Sequence, residues 1–147
     1  ILGRGLAPAG GPAEIRISLV NSRAAVVRDN TVSSVNLGLI IRGGVSGGNR
    51  VIGNSFVGGP VAGNNLLAMC WNPLAGGAAT DPGPVGDLVC SNHVSLYQNG
   101  VSASAGSRSI VFKDNVISFY AAAFTPITLT TPGTNNVASG NIENPIP

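Results

Sequence analysis

Apolar residues occur along this chain in short runs, each broken by a polar step and then resumed. "VVRDNTV" (Val26–Val32), "RVIGNSFV" (Arg50–Val57), "LVCSNHV" (Leu88–Val94), "SIVFKDNVISF" (Ser109–Phe119) and "VASGNI" (Val137–Ile142) share one layout, with an asparagine at the break. Aligned on Asn30, Asn54, Asn92, Asn115 and Asn141, the spacings are 24, 38, 23 and 26 residues. Three residues before each asparagine stand Val27, Val51, Val89, Phe112 and Ala138. Two residues after it stand Val32, Phe56, Val94 and Ile117, then Glu143. Side chains on a strand alternate between faces, so a constant offset means a constant face, and these positions read as two apolar columns. A third apolar block recurs at Ile15–Val20, Leu39–Gly43, Leu66–Cys70, Val101–Ala105 and Ile127–Thr131. No stretch keeps the i, i+3, i+4, i+7 spacing of a helix, and Gly, Pro and β-branched residues interrupt every window.

Three short strands and three bends in about 24 residues, repeated in register, describe a solenoid whose strands pair in parallel with the coil below. The expectation is all-β, with about five coils over residues 13–142. It places one loop insertion at 73–86, an irregular N-terminal arm at 1–12 and a C-terminal tail at 143–147. The insertion accounts for the long spacing, because Asn72–Asp87 is rich in Pro, Gly and Ala. The recurring asparagines are expected to be structural. Each would sit at a bend that needs the left-handed conformation, with its amide bonding the equivalent amide or backbone above and below.

The units "VVRDNTV", "VIGNSFV", "LVCSNHV" and "IVFKDNVI" resemble the right-handed parallel β-helix repeats of the pectin-lyase-like superfamily. That resemblance implies the fold. It implies little about activity, since such folds serve polysaccharide-cleaving enzymes, tailspikes, adhesins and structural surface proteins alike.

Composition narrows the function classes. Mean hydropathy is positive, yet no apolar run approaches the roughly 18 residues of a membrane span. The cations are seven Arg and one Lys, scattered singly, so no nucleic-acid-binding patch is expected. Abundant Ala and Gly with Arg in place of Lys suggest a bacterial origin.

Carboxylates that could work on a polysaccharide would have to cluster. Asp29 and Asp114 hold the same repeat position but lie three coils apart, roughly 14 Å at strand spacing. Asp81 and Asp87 fall in the Pro/Gly/Ala-rich run Asn72–Asp87, where they are expected to be solvated loop acids, and His93 should point outward without a catalytic partner. No catalytic residue, metal site or cofactor is therefore expected, which weighs against an enzyme. Cys70 and Cys90 flank the insertion, and a disulfide between them would close its base in an oxidising compartment; two separate thiols are the alternative. Trp71, Tyr97 and Tyr120 are the aromatics with a polar handle and the candidate glycan contacts.

A solenoid has two open ends, and no amphipathic helix is available to cap either. The expected function is therefore an extracellular structural module, secreted or at the cell surface. Its partners would be copies of itself, as a subunit of a filament, sheath or surface layer. The alternative is a polysaccharide-binding or polysaccharide-cleaving module of lyase-like or tailspike-like kind, either by itself or as a fragment cut from a longer β-helix.

Overall fold

A computed structural model describes residues 15–33, 37–58, 67–72, 83–97, 99–103, 106–120, 127–129 and 135–146. Its first three strands are β1 (Ile15–Val20), β2 (Val26–Arg28) and β3 (Thr31–Ser33), and the next three are β4 (Leu37–Arg42), β5 (Arg50–Ile52) and β6 (Ser55–Val57). Then come β7 (Leu67–Asn72), β8 (Leu88–Cys90) and β9 (His93–Tyr97), followed by β10 (Asn99–Ala103), β11 (Val111–Lys113) and β12 (Val116–Tyr120). The last are β13 (Ile127–Leu129), β14 (Val137–Ser139) and β15 (Ile142–Ile146).

Strands three apart in sequence pair in parallel, which gives three sheets ordered β1-β4-β7-β10-β13, β2-β5-β8-β11-β14 and β3-β6-β9-β12-β15. The molecule is a parallel β-solenoid with three walls, all-β among the described residues. Each consecutive triplet of strands forms a rung.

Alternation within the strands decides what fills the interior. Val27, Val51, Val89 and Phe112 stack from the second wall, and Val32, Phe56, Val94 and Ile117 from the third. The first wall supplies Leu39, Met69 and Val101 in one row and Ile41, Trp71 and Ala103 in the next. A single rung could not bury these side chains, because each is covered only by the rungs above and below it. Trp71 meets Phe112 edge to face at 5.1 Å, which joins two walls across the interior.

The pairing register corrects the position of the extra residues. The chain takes four steps from Ser33 to Leu37, but ten from Val57 to Leu67, the pair that matches them one rung on. It takes five steps from Arg42 to Gly47, but thirteen from Asn72 to Val85. The long spacing is therefore split between two connections, and no single insertion spans 73–86. Val85 bridges Gly47 on one side and Arg108 on the other, so the chain has rejoined the rung by then.

Candidate functional site

The most organised polar feature is a spine of amides at the corner between the β2 and β3 walls. The N–H and Nδ2 of Asn30 both donate to Asn54 Oδ1, each at 3.0 Å. Asn54 donates in the same way to Asn92 Oδ1, Asn92 to Asn115 Oδ1, and Asn115 to Asn141 Oδ1. The second Nδ2 hydrogen is used as well. Asn54 Nδ2 donates to the carbonyl of Val27, Asn92 Nδ2 to that of Val51, Asn115 Nδ2 to that of Val89 and Asn141 Nδ2 to that of Phe112. Asn54, Asn92 and Asn115 are buried. One side chain thereby satisfies groups that the corner removes from the sheet ladders.

The asparagines themselves are not the left-handed residues. Positive φ falls one residue earlier, at Asp29, Gly53, Ser91, Asp114 and Gly140. The preceding residue makes the corner, and the asparagine that follows turns inward to bond the neighbouring rungs. Exposure at the corner also explains two of those glycines. A Cβ on Gly53 would lie 2.9 Å from Asp29 Oδ1, and one on Gly140 would lie 2.5 Å from Asp114 Oδ1, so an acid on one rung is matched by glycine on the next.

A second spine runs five residues upstream, at Ala25, Asn49, Asp87, Ile110 and Asn136. The N–H of Ala25 donates to Asn49 Oδ1 at 3.0 Å, that of Asn49 to Asp87 Oδ1 at 2.8 Å, and that of Ile110 to Asn136 Oδ1 at 3.0 Å. Each member again follows a left-handed residue, namely Ala24, Gly48, Gly86, Ser109 and Asn135. This spine is interrupted. The side chain of Ile110 cannot accept a bond, so an amide hydrogen at position 87 pointing toward it would have no partner. The residue there is an acid, and its other oxygen, Oδ2, accepts from Trp71 Nε1 at 2.8 Å.

Asp87 was expected to be solvated in a loop, yet it is buried and integral to the fold. Burial pushes its carboxyl up, while the bonds from Asn49 and Trp71 pull the other way. Trp71 and Tyr97 are fully buried and are not glycan contacts. Trp71 is committed to Asp87 and Phe112. Tyr97 is turned inward because Leu96 adopts positive φ, with a break in pairing register beside it, so the alternation of β9 shifts by one residue. Its hydroxyl has no hydrogen-bond partner, and burial pushes the phenol up. Tyr120 lies in β12, with its side chain outside the described residues.

No disulfide joins Cys70 and Cys90. Each alternates with interior residues, Cys70 with Met69 and Trp71, and Cys90 with Val89. Cys70 is buried on β7 and Cys90 half-buried on β8, so the two thiols belong to different walls, each out of step with its wall's interior row. Asp29 pairs with Arg28 at 2.9 Å and Asp114 with Lys113 at 3.4 Å, both exposed. His93 is exposed on β9, and Glu14 and Asp81 lie outside the described residues. Among the described residues no group of three or more His, Cys, Asp or Glu is placed to hold a metal ion, and no helix is long and apolar enough to cross a membrane. An open, shallow depression lies beside Arg23, Val45 and Val85, where Arg23 Nε donates to the carbonyl of Val45 at 2.8 Å.

The remaining feature is at the two ends of the stack. Among the described residues the exposed large apolar side chains are Val20 and Val26 on the first rung, Val137 and Ile142 on the last, and Val45 between. Comparison with models of protein families, with curated proteins and with solved structures found no match.

Proposed function

We propose that this chain is a structural solenoid module that associates with copies of itself, as a subunit of a filament, sheath or surface layer, secreted or at the cell surface. One observation carries the reading: among the described residues, four of the five exposed large apolar side chains sit on the first and last rungs, where each wall's outermost strand pairs on one side only. The middle rungs have every strand paired on both sides. Apolar side chains half-exposed beside open edges are the surface features that association removes from water.

The polysaccharide reading loses its two described aromatic contacts to the interior, and Asp29 and Asp114 are each paired with an adjacent cation. The likeness of the repeat to pectin-lyase-like solenoids is kept here as a proposal about architecture. The secreted or cell-surface setting is likewise proposed without help from a disulfide. Sedimentation velocity across a concentration series tests the function. Concentration-dependent growth beyond the 14.7 kDa chain is the expected result, and a monomer that persists at high concentration overturns it.

A further inference from the structure

The two ends of the complete amide spine are chemically unlike, and each is the complement of the other. Every link runs in one direction, with the backbone N–H and Nδ2 of one rung donating to Oδ1 of the next. Among the described residues nothing donates to Asn30 Oδ1 at the first rung. At the last rung Asn141 donates through Nδ2 to the carbonyl of Phe112, and among the described residues its N–H and second Nδ2 hydrogen reach no acceptor.

We infer that self-association is head to tail. The last rung of one copy stacks on the first rung of the next, and Asn141 donates to Asn30 Oδ1 across the join. This rests on the proposed self-association and specifies its geometry.

The pairing register supports the same junction. Along the outer row of the second wall run Val26, Arg50, Leu88, Val111 and Val137. The next position in a continued stack is Val26 of the following copy, so the exposed Val137 and Val26 would cover each other. In the first wall, Ile127 and Leu129 would fall on Ile17 and Leu19, all four only partly buried against the core at present. A junction between two like ends fails on the same chemistry, since two Asn141 side chains would bring donor against donor. A head-to-tail contact does not close by a two-fold axis, and it propagates into an open filament.

One row opposes the junction. Glu143 continues the interior row of Val32, Phe56, Val94 and Ile117, and it would meet Val32 of the next copy. An inward-pointing charge at a strand edge restrains pairing. The third wall also carries Pro145, which has no N–H to give. The join is therefore made chiefly through the first two walls, with Glu143 limiting its strength.

Charge substitution at the two exposed valines tests this by sedimentation velocity, with thermal melts to confirm that each variant folds. Val26→Lys and Val137→Lys should each weaken association by about tenfold or more, because every junction then holds an unpaired charge. The double variant Val26→Lys with Val137→Asp should recover to within about threefold of the parent, since each lysine then faces an aspartate. Glu143→Val should tighten association, and no change in that variant overturns the stacked register. Association indifferent to both single charges means that copies meet side by side; that outcome overturns the head-to-tail geometry and spares the proposed function. Weakening without recovery in the double variant points to like ends meeting and also overturns it. A parent chain and a Glu143→Val variant that both stay monomeric defeat the proposed function itself.

Discussion

The spine through Asn30, Asn54, Asn92, Asn115 and Asn141 and the spine through Ala25, Asn49, Asp87, Ile110 and Asn136 occupy equivalent places at two corners of the same solenoid. The first repeats a single residue type and is continuous. The second uses four residue types and is broken at Ile110. Both corners are made by a left-handed residue immediately upstream. The difference lies in what each rung must satisfy. Where the next rung offers an acceptor, an amide fits, because it accepts from one side and donates to the other. Where the next rung offers Ile110, an acceptor-only carboxylate fits better, and its spare oxygen takes the indole hydrogen of Trp71. Asn49, Asp87 and Asn136 each aim an acceptor at the preceding rung, and the rest of the side chain follows local need.

The largest expected effect comes from cutting the continuous spine at its centre. Asn92→Ala would remove the acceptor of the Asn54 N–H and of one Asn54 Nδ2 hydrogen, and the donor to the carbonyl of Val51, in a buried site. At roughly 1–3 kcal/mol for each orphaned group, the loss should reach about 3–5 kcal/mol in urea unfolding. Asn49→Ala, which removes fewer bonds from the interrupted spine, should cost less. Equal losses would mean that continuity adds nothing.

Asp87→Asn comes next. Whichever way the amide is turned, its NH₂ meets either the indole of Trp71 or the donors of Asn49, at an expected cost of about 1–3 kcal/mol near neutral pH. The pH dependence carries a definite sign. Burial raises the Asp87 carboxyl, so the folded chain holds that proton more tightly than the unfolded chain does. The contribution of this group is therefore greatest in acid and declines as the pH rises from the ordinary carboxylate value, about 3.9, through the raised native one. The parent's stability advantage over Asp87→Asn should shrink across that window, and an advantage that grows with pH would contradict the assignment.

The smallest effect is a coupling. Ile110→Asn alone removes a buried core side chain, but together with Asp87→Asn it supplies the missing acceptor. A double-mutant cycle should show the pair less damaging than the sum by about 1 kcal/mol. Strict additivity would show that the break in the second spine has nothing to do with Asp87 being an acid.

The continuous spine was legible because its period is written in one residue type, and the apolar columns flanking it were legible for the same reason. The second spine has the same spacing, offset by five residues, but its chemistry changes at each rung. Its signal was the series of left-handed positions at 24, 48, 86, 109 and 135, and residues as varied as Ala, Gly, Ser and Asn disguise it. Trp71 was misread because an amphipathic aromatic suits a glycan face and a core equally well; its parity with Met69 on β7 is what places it inside. Tyr97 defeats even parity, because the bulge at Leu96 reverses it. The Pro/Gly-rich run marked one of the two lengthened connections and hid the other.

The sequence by itself determined the period, the three-walled parallel stack and the shared apolar interior, because those follow from alternation and repetition along one chain. Tertiary structure alone decided which polar groups are buried, that the two thiols lie on different walls, and that the ends of the spine are complementary. Those outcomes depend on which donor lies opposite which acceptor one rung away, a relation between residues 23 to 38 positions apart that no local pattern records.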